Sequence, residues 1–381
     1  MHSLHSVPSY WLKVLLVRLK QRRGLMQARM EGIWRATGDA VVFLDSHIEA
    51  SPAWLEPLLA RLSENPSRLL VPSIDSVGAE DLVFRYGRGL SVLSFSWNLG
   101  QRPMPGSNDP DTTRPVRSTV MPGGLFAADR RWFLKLGGYD PEMRLYGGEE
   151  MEISFRTWMC GGGVEHVPCS HVGHIFRTPE YWQGQVYVVP SEEIARNKRR
   201  AAAVWMDSYQ RFVNISMQPA GDLGNLEPRK ELRKRLKCKS FKWFLKSVAT
   251  EVVVPPILRL SGMVVNADRG QCLDTLGGSH GGEMGMYQCH GQHGAQAFAL
   301  DAEGFMRIPV QSYELCVTPD QAGKVVIMVC HRAQKWVWDA KPGHLVSLKS
   351  SACLQSSNQG TLKVSACRKD ALNQRWSWLA S

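Results

Sequence analysis

Val41-Val42-Phe43-Leu44-Asp45-Ser46-His47 is the stretch that decides the fold. Four apolar, strand-favouring residues run into two metal-capable side chains spaced i, i+2, so Asp45 and His47 can share one side of an extended segment. In open α/β sheets the ligand crevice lies beyond the carboxyl ends of the strands, where this Asp-x-His falls. It reads as a divalent-metal clamp for a nucleotide diphosphate. Alone, it reads equally well as a strand ending in a turn that Asp45 caps.

Upstream, Val14-Leu15-Leu16-Val17-Arg18-Leu19 predicts a strand, residues 22–38 a helix and turn, and residues 41–44 the next strand. The apolar patch over residues 10–19 carries Lys13 and Arg18, is too short to span a bilayer and lacks a small-residue cleavage site. The 381 residues are 44% hydrophobic and 21% charged, a globular composition that excludes disorder and has the length for two domains. The net charge of +11 gathers in residues 13–35 and 229–246. No aromatic-interleaved motif accompanies it, so nucleic acid is not an expected partner.

Downstream, Met121-Pro122-Gly123-Gly124-Leu125-Phe126 sets two glycines, which permit close backbone approach to a ligand, ahead of a helix over residues 129–136. Tyr146-Gly147-Gly148-Glu149-Glu150-Met151-Glu152 then gathers three carboxylates at a helix start. The helix dipole favours acid there, but three in four residues exceed what capping requires.

Six of the nine cysteines fall into three pairs of similar internal spacing: Cys272 and Cys289, Cys316 and Cys330, Cys353 and Cys367. Such regularity implies local disulfides and an oxidising compartment. Each pair is followed by a glutamine and an aromatic: Gln296-Ala297-Phe298, Gln334-Lys335-Trp336 and Gln374-Arg375-Trp376. Three short β units of this kind predict a trefoil; a propeller needs more blades.

These C-terminal residues resemble the ricin-type carbohydrate-binding trefoil, with its Cys-Leu-Asp and Gln-x-Trp signatures. By that resemblance Asp274 and Tyr287 of the first repeat would hold a sugar, although Ala295 stands where an Asn is expected. Thr318 and Gln355 replace the aspartate in the other repeats, while Asn373 remains in the third.

Residues 14–260 resemble the catalytic domain of the polypeptide N-acetylgalactosaminyltransferases. The stretches that carry the likeness are Arg22-Arg23-Gly24-Leu25-Met26, Phe43-Leu44-Asp45-Ser46-His47, Gly123-Gly124-Leu125-Phe126, Tyr146-Gly147-Gly148-Glu149, Cys169-Ser170-His171-Val172-Gly173-His174-Ile175-Phe176-Arg177 and Val204-Trp205-Met206-Asp207. The resemblance implies a mixed chain, α/β plus all-β: a partial GT-A, Rossmann-like domain over residues 1–228, lacking the first nucleotide-binding strands, a linker over 229–261, and a ricin-type β-trefoil over 262–381. It implies a retaining enzyme that transfers GalNAc from UDP-GalNAc to Ser or Thr hydroxyls of proteins or glycopeptides with Mn2+, in the Golgi lumen or at its membrane.

Roles follow by position. Asp45, His47 and His174 would bind the metal, Arg22 and Arg177 would contact the nucleotide and diphosphate, and Gly123, Gly124 and Glu149 would cradle GalNAc. Tyr146 replaces the usual Trp, Glu150 stands where Asn or Gln is usual, and Tyr181 would serve as the tyrosine of the loop over the site. Cys160 would pair with Cys238, leaving Cys169 over, because its family partner lies in a luminal segment that precedes Val14 in the family. A noncatalytic relative that binds glycopeptide or carbohydrate through the trefoil remains the alternative reading, with a bare lectin behind it.

Overall fold

The computed structural model describes residues 14–87, 92–105, 111–176, 189–311 and 313–380. In the N-terminal half the strands are β1 (Ala40–Phe43), β2 (Ile48–Ala50), β3 (Arg68–Val77), β4 (Phe84–Arg85), β5 (Leu93–Phe95), β6 (Gln101–Pro103), β7 (Val116–Arg117), β8 (Phe126–Asp129) and β9 (Gly163–Ile175). The helices are α1 (Leu25–Arg35), α2 (Glu56–Glu64), α3 (Arg130–Lys135), α4 (Glu149–Met159), α5 (Ser191–Trp205), α6 (Gln210–Ser216), α7 (Glu227–Arg235) and α8 (Phe241–Ser247). One sheet runs in the order β1-β8-β3-β9-β2, with β4 and β7 added beside β3 and β9. The long central pair β3 and β9 is parallel, and β8 is antiparallel to both β1 and β3.

The strand expected over residues 14–19 is absent. Val14, Leu15 and Leu16 are exposed, and no described strand lies beside them to take their backbone hydrogen bonds, without which a β-favouring sequence stays irregular. The helix expected from residue 22 begins at Leu25. Gly24, at φ 87°, is the reason: a Cβ there would lie 2.3 Å from the Cα of Leu145, and Leu25 N–H donates to the Leu145 carbonyl. Only glycine tolerates both that φ and that approach. The helix expected at residues 129–136 is α3, where Asp129 caps by accepting from Trp132 N–H at 2.7 Å.

Helix α4 is buried on every side, so its polar groups need internal partners. Arg156 pairs with Glu152 one turn away at 2.7 Å and donates to the carbonyls of Leu136 and Gly138, while the Trp205 indole donates to Glu152. Glu152 is thereby absorbed by structure. Nearby, buried Asp140 is held by Arg200 at 2.8 Å and faces Arg229 at 3.5 Å.

Within the expected linker over 229–261, residues 229–252 are instead folded against the N-terminal core. Phe241 and Phe244 each stand 5.3 Å from Phe155 of α4, and Leu245, Ala249 and Val252 join the same cluster. Cys238 is bonded to Cys160 at the end of α4. The lysines hid an amphipathic helix: Phe241, Phe244 and Leu245 keep the i, i+3, i+4 spacing of one apolar face, and burying each phenylalanine is worth about 1.5–3 kcal/mol.

The C-terminal half begins with β10 (Leu258–Asn266) and is a β-trefoil with a separate core containing Leu273, Val317, Leu354, Phe298, Trp336 and Trp376. All three expected local disulfides form. The Gln-x-Trp spacing has a mechanical cause. The indoles of Trp336 and Trp376 donate to the carbonyls of Val317 and Leu354, each the residue after a repeat's first cysteine. The glutamine amide side chains brace the same turns: Gln296 donates to Asp274 and Gln374 to Gln355.

The halves are joined by more than the chain. Tyr313 of the trefoil enters the N-terminal core, its hydroxyl donating to the Phe212 carbonyl at 3.1 Å. Ser216 is buried beside it.

Candidate metal centre

The chain turns between β1 and β2, and that turn builds the site. Asp45 and His47 leave the end of β1, and β2 pairs antiparallel with β9 so that Ile48 faces His174. Ile175 N–H donates to the His47 carbonyl at 3.0 Å, locking the turn to the strand that carries His174. The ligand atoms of Asp45, His47 and His174 all lie within 4.8 Å of one another. His174 Nε2 is 3.4 Å from Asp45 Oδ2, and the two imidazoles stand 4.5 Å apart between centroids. The hydrogen bond from His174, with the nearby Arg29 charge, holds the Asp45 carboxyl below its ordinary range against the opposing effect of burial.

Gly124 abuts this carboxylate: an added Cβ would lie 2.9 Å from Asp45 Oδ2. On the other side of the glycine pair, a Cβ on Gly123 would lie 3.2 Å from the Glu150 Cβ and 3.9 Å from Glu149 Oε1. Glu149 is 2% exposed and accepts from Gly147 N–H at 2.7 Å. Burial first, then the adjacent Glu150, pushes its carboxyl up to about 8, which favours the protonated form near neutral pH. Burial also raises Glu150, while burial pulls Lys198 down against the opposing pull of Glu150 and Glu149.

Tyr146 is half exposed, and the loop that bears it is pinned to α5: Asn197 accepts from Arg144 N–H and donates to the Arg144 and Tyr146 carbonyls. Arg22 lies in the exposed approach to α1. Arg177 and Tyr181 lie outside the described residues.

One residue escaped the motif reading. Arg29, in the middle of α1, donates through Nη1 to the Gly123 carbonyl and the Tyr139 hydroxyl, and through Nη2 to the Gly124 carbonyl and Asp45 Oδ1. A signal for it existed in the sequence. Met26 and Ile33, three residues before and four after, are both buried, so Arg29 falls on the inward face of the helix.

In the trefoil, β11 (Cys272–Asp274) and β12 (Gly285–Tyr287) bring Asp274 and Tyr287 onto adjacent strands. Tyr287 is 57% exposed. Asp274 is buried, with Oδ1 accepting from Leu276 N–H and Oδ2 from the Gln296 amide. Cys169 is exposed and free.

Comparison with known proteins agrees with both halves. The family profile of the ricin-type beta-trefoil lectin domain matches residues 260–376, that of glycosyl transferase family 2 matches 3–137, and that of the N-terminal domain of galactosyltransferase matches 108–180. Polypeptide N-acetylgalactosaminyltransferase 5 of Caenorhabditis elegans is 39% identical over 96% of this chain and 60% of its own length. Polypeptide N-acetylgalactosaminyltransferase 13 of Rattus norvegicus is 37% identical over 83% of this chain and 57% of its own. A crystal structure of GalNAc-T7 with UDP, GalNAc and Mn2+ superposes with a TM-score of 0.80 at 29% identity, covering 96% of this chain and 70% of that one. The chain thus spans about three fifths of the length of the curated relatives it matches. With a GT-A glycosyltransferase half and a ricin-type trefoil on one polypeptide, it belongs to the polypeptide N-acetylgalactosaminyltransferase family.

Proposed function

We propose that this chain carries the catalytic machinery of a retaining transferase that moves GalNAc from UDP-GalNAc to Ser or Thr hydroxyls of proteins, with a trefoil that binds carbohydrate. The convergence of Asp45, His47 and His174 beside Gly124 carries the reading. A carboxylate with two imidazoles, leaving positions for diphosphate oxygens, is a donor set suited to Mn2+. When bound, such an ion offsets the charge of the departing diphosphate.

The chain's own residues do the rest. Gly123 and Gly124, bare of side chains, leave room for a sugar ring against the backbone, and Glu149, protonated and buried beside them, can donate to a ring hydroxyl as well as accept from one. Half-exposed Tyr146 offers an aromatic platform, and Arg22, Arg177 and Tyr181 would serve the nucleotide, its diphosphate and the covering loop. A neutral Glu149 is a poor nucleophile. That favours front-face attack: the acceptor oxygen bonds to the anomeric carbon as the carbon–phosphate-oxygen bond breaks, and its proton passes to the departing phosphate. Asp274 and exposed Tyr287 would hold a sugar on the trefoil. The four disulfides support a site of action in the secretory lumen, the Golgi included; no described helix is long and apolar enough to cross a membrane.

The test is Mn2+-dependent transfer of GalNAc to a Ser/Thr peptide by the purified chain, with His174→Ala as control. Transfer lost in the variant supports the proposal. A chain that retains glycopeptide, with no transfer and no Mn2+ binding, overturns it in favour of the noncatalytic alternative.

A further inference from the structure

We propose that Arg29 is a positioning residue that fixes which oxygen of Asp45 faces the metal and ties that choice to the glycine pair beside it. The inference deepens the metal and sugar-nucleotide reading above and depends on it. Arg29 is 8% exposed, and its two terminal nitrogens engage four acceptors. A guanidinium is planar, so these contacts cannot turn independently. Nη2 reaches Asp45 Oδ1 at 3.3 Å and the Gly124 carbonyl at 2.7 Å; Nη1 reaches the Gly123 carbonyl at 2.7 Å and the Tyr139 hydroxyl at 3.0 Å.

The two oxygens of Asp45 are therefore inequivalent. Oδ1 is occupied by Arg29, whereas Oδ2 is the one 3.4 Å from His174 Nε2. Asp45 thus turns Oδ2 toward His174. The peptide planes of Gly123 and Gly124 are held by the same fork, so the wall against which a sugar would lie and the carboxylate that would bind the ion are set by one side chain. Tyr139, buried, anchors the fork from behind.

Charge works against this role. A cation so close to a ligand carboxylate opposes a divalent ion, so removing it would tighten Mn2+ binding if Coulomb repulsion were its main effect. Orientation by outer-shell partners works the other way, at about ten- to hundredfold in affinity. The proposal requires orientation to win.

Titration of Mn2+ in the presence of UDP, followed by the electron paramagnetic resonance signal of the free ion, decides between them for the wild-type chain, Arg29→Met and Arg29→Lys. We expect Arg29→Met to weaken Mn2+ binding about tenfold or more. Arg29→Lys, which keeps the charge but cannot fork, should also weaken it and should narrow the preference for UDP-GalNAc over UDP. Circular dichroism reports whether each variant folds, and Arg29→Lys carries the test if Arg29→Met does not. Folded variants that bind Mn2+ as tightly as wild type, or more tightly, overturn the role, leaving Arg29 as a satisfier of buried carbonyls. A wild-type chain that binds no Mn2+ removes the metal reading itself, and this role with it.

Discussion

Replacing Glu149 with Gln should make the protein less sensitive to alkali in a way that can be computed in advance. In the folded chain burial and Glu150 hold the Glu149 proton until about pH 8, whereas the ordinary value is 4.5. Between these limits the native state binds one proton that the unfolded state has released. Stability therefore falls as pH rises through the window, by about 1.4 kcal/mol per unit, and is unaffected by this group below it. From about pH 6 to about pH 7.5 the loss is about 2 kcal/mol. Glutamine matches the shape and has no proton to lose, so the stability difference between Glu149→Gln and wild type should move by that amount in the variant's favour. Other groups titrating in this range are common to both proteins and cancel in the comparison, except Glu150, whose coupling to Glu149 is broken in the variant, so Glu150→Gln is measured alongside. Urea unfolding under non-reducing conditions at the two pH values measures it. Parallel pH dependence in variant and wild type would refute the reasoning: Glu149 would then be ionised in the fold, and its proposed part as a neutral hydrogen-bond donor would be lost.

Asp140→Asn should cost about 3–5 kcal/mol, read as a fall in melting temperature, because it strips the counter-charge from buried Arg200 and Arg229. The exposed pair Asp81 and Arg85 offers the contrast: Asp81→Asn should leave the melting temperature unchanged. His166, buried with neither ring nitrogen meeting a hydrogen-bond partner among the described residues, has its pKa pulled by burial to about 4. Below its ordinary 6.5 the unfolded chain gains a proton that the native state refuses, so stability is lost as pH falls from 6.5 toward 4. His166→Met should remove that loss, about 2 kcal/mol between pH 6.5 and about pH 5, in acid unfolding curves. On the trefoil, Tyr287→Ala should abolish retention on sugar beads without lowering the melting temperature, whereas Asp274→Ala should lose both, since its carboxylate also holds Leu276 and Gln296. Retention by the Tyr287 variant would show that the first repeat is not the sugar site.

Local chemistry made part of this legible from residue order. Asp45 and His47 stand out as metal-capable side chains at a strand end, though the pair alone reads equally well as a capped turn, and His174 joins them only through the family resemblance; the three disulfide repeats stand out because cysteine spacing and Gln-x-Trp reflect bonds made within a few strands. What stayed hidden depends on packing between distant segments. Arg29 looked like one more cation in a basic run until α1 turned it toward Asp45. Glu152 looked like part of an acidic site until Arg156 and Trp205 claimed it. The six residues from Val14, apolar but for Arg18, read as a strand, but a strand needs a neighbour, and no hydrophobicity pattern supplies one.

The folded state of residues 229–252 dictates where this protein can be cut. Trp97 donates to the Val253 carbonyl and Arg102 to that of Glu251, so the N-terminal half keeps its grip on the chain to that point. The trefoil takes over at Ile257, whose carbonyl accepts from Ala302. Only Val254-Pro255-Pro256 lies between, a short, stiff splice. A lectin fragment begun at Arg229 would carry Phe241, Phe244 and Leu245 naked into solvent and would aggregate for reasons unrelated to the lectin, so chimaeras and truncations belong at the proline pair.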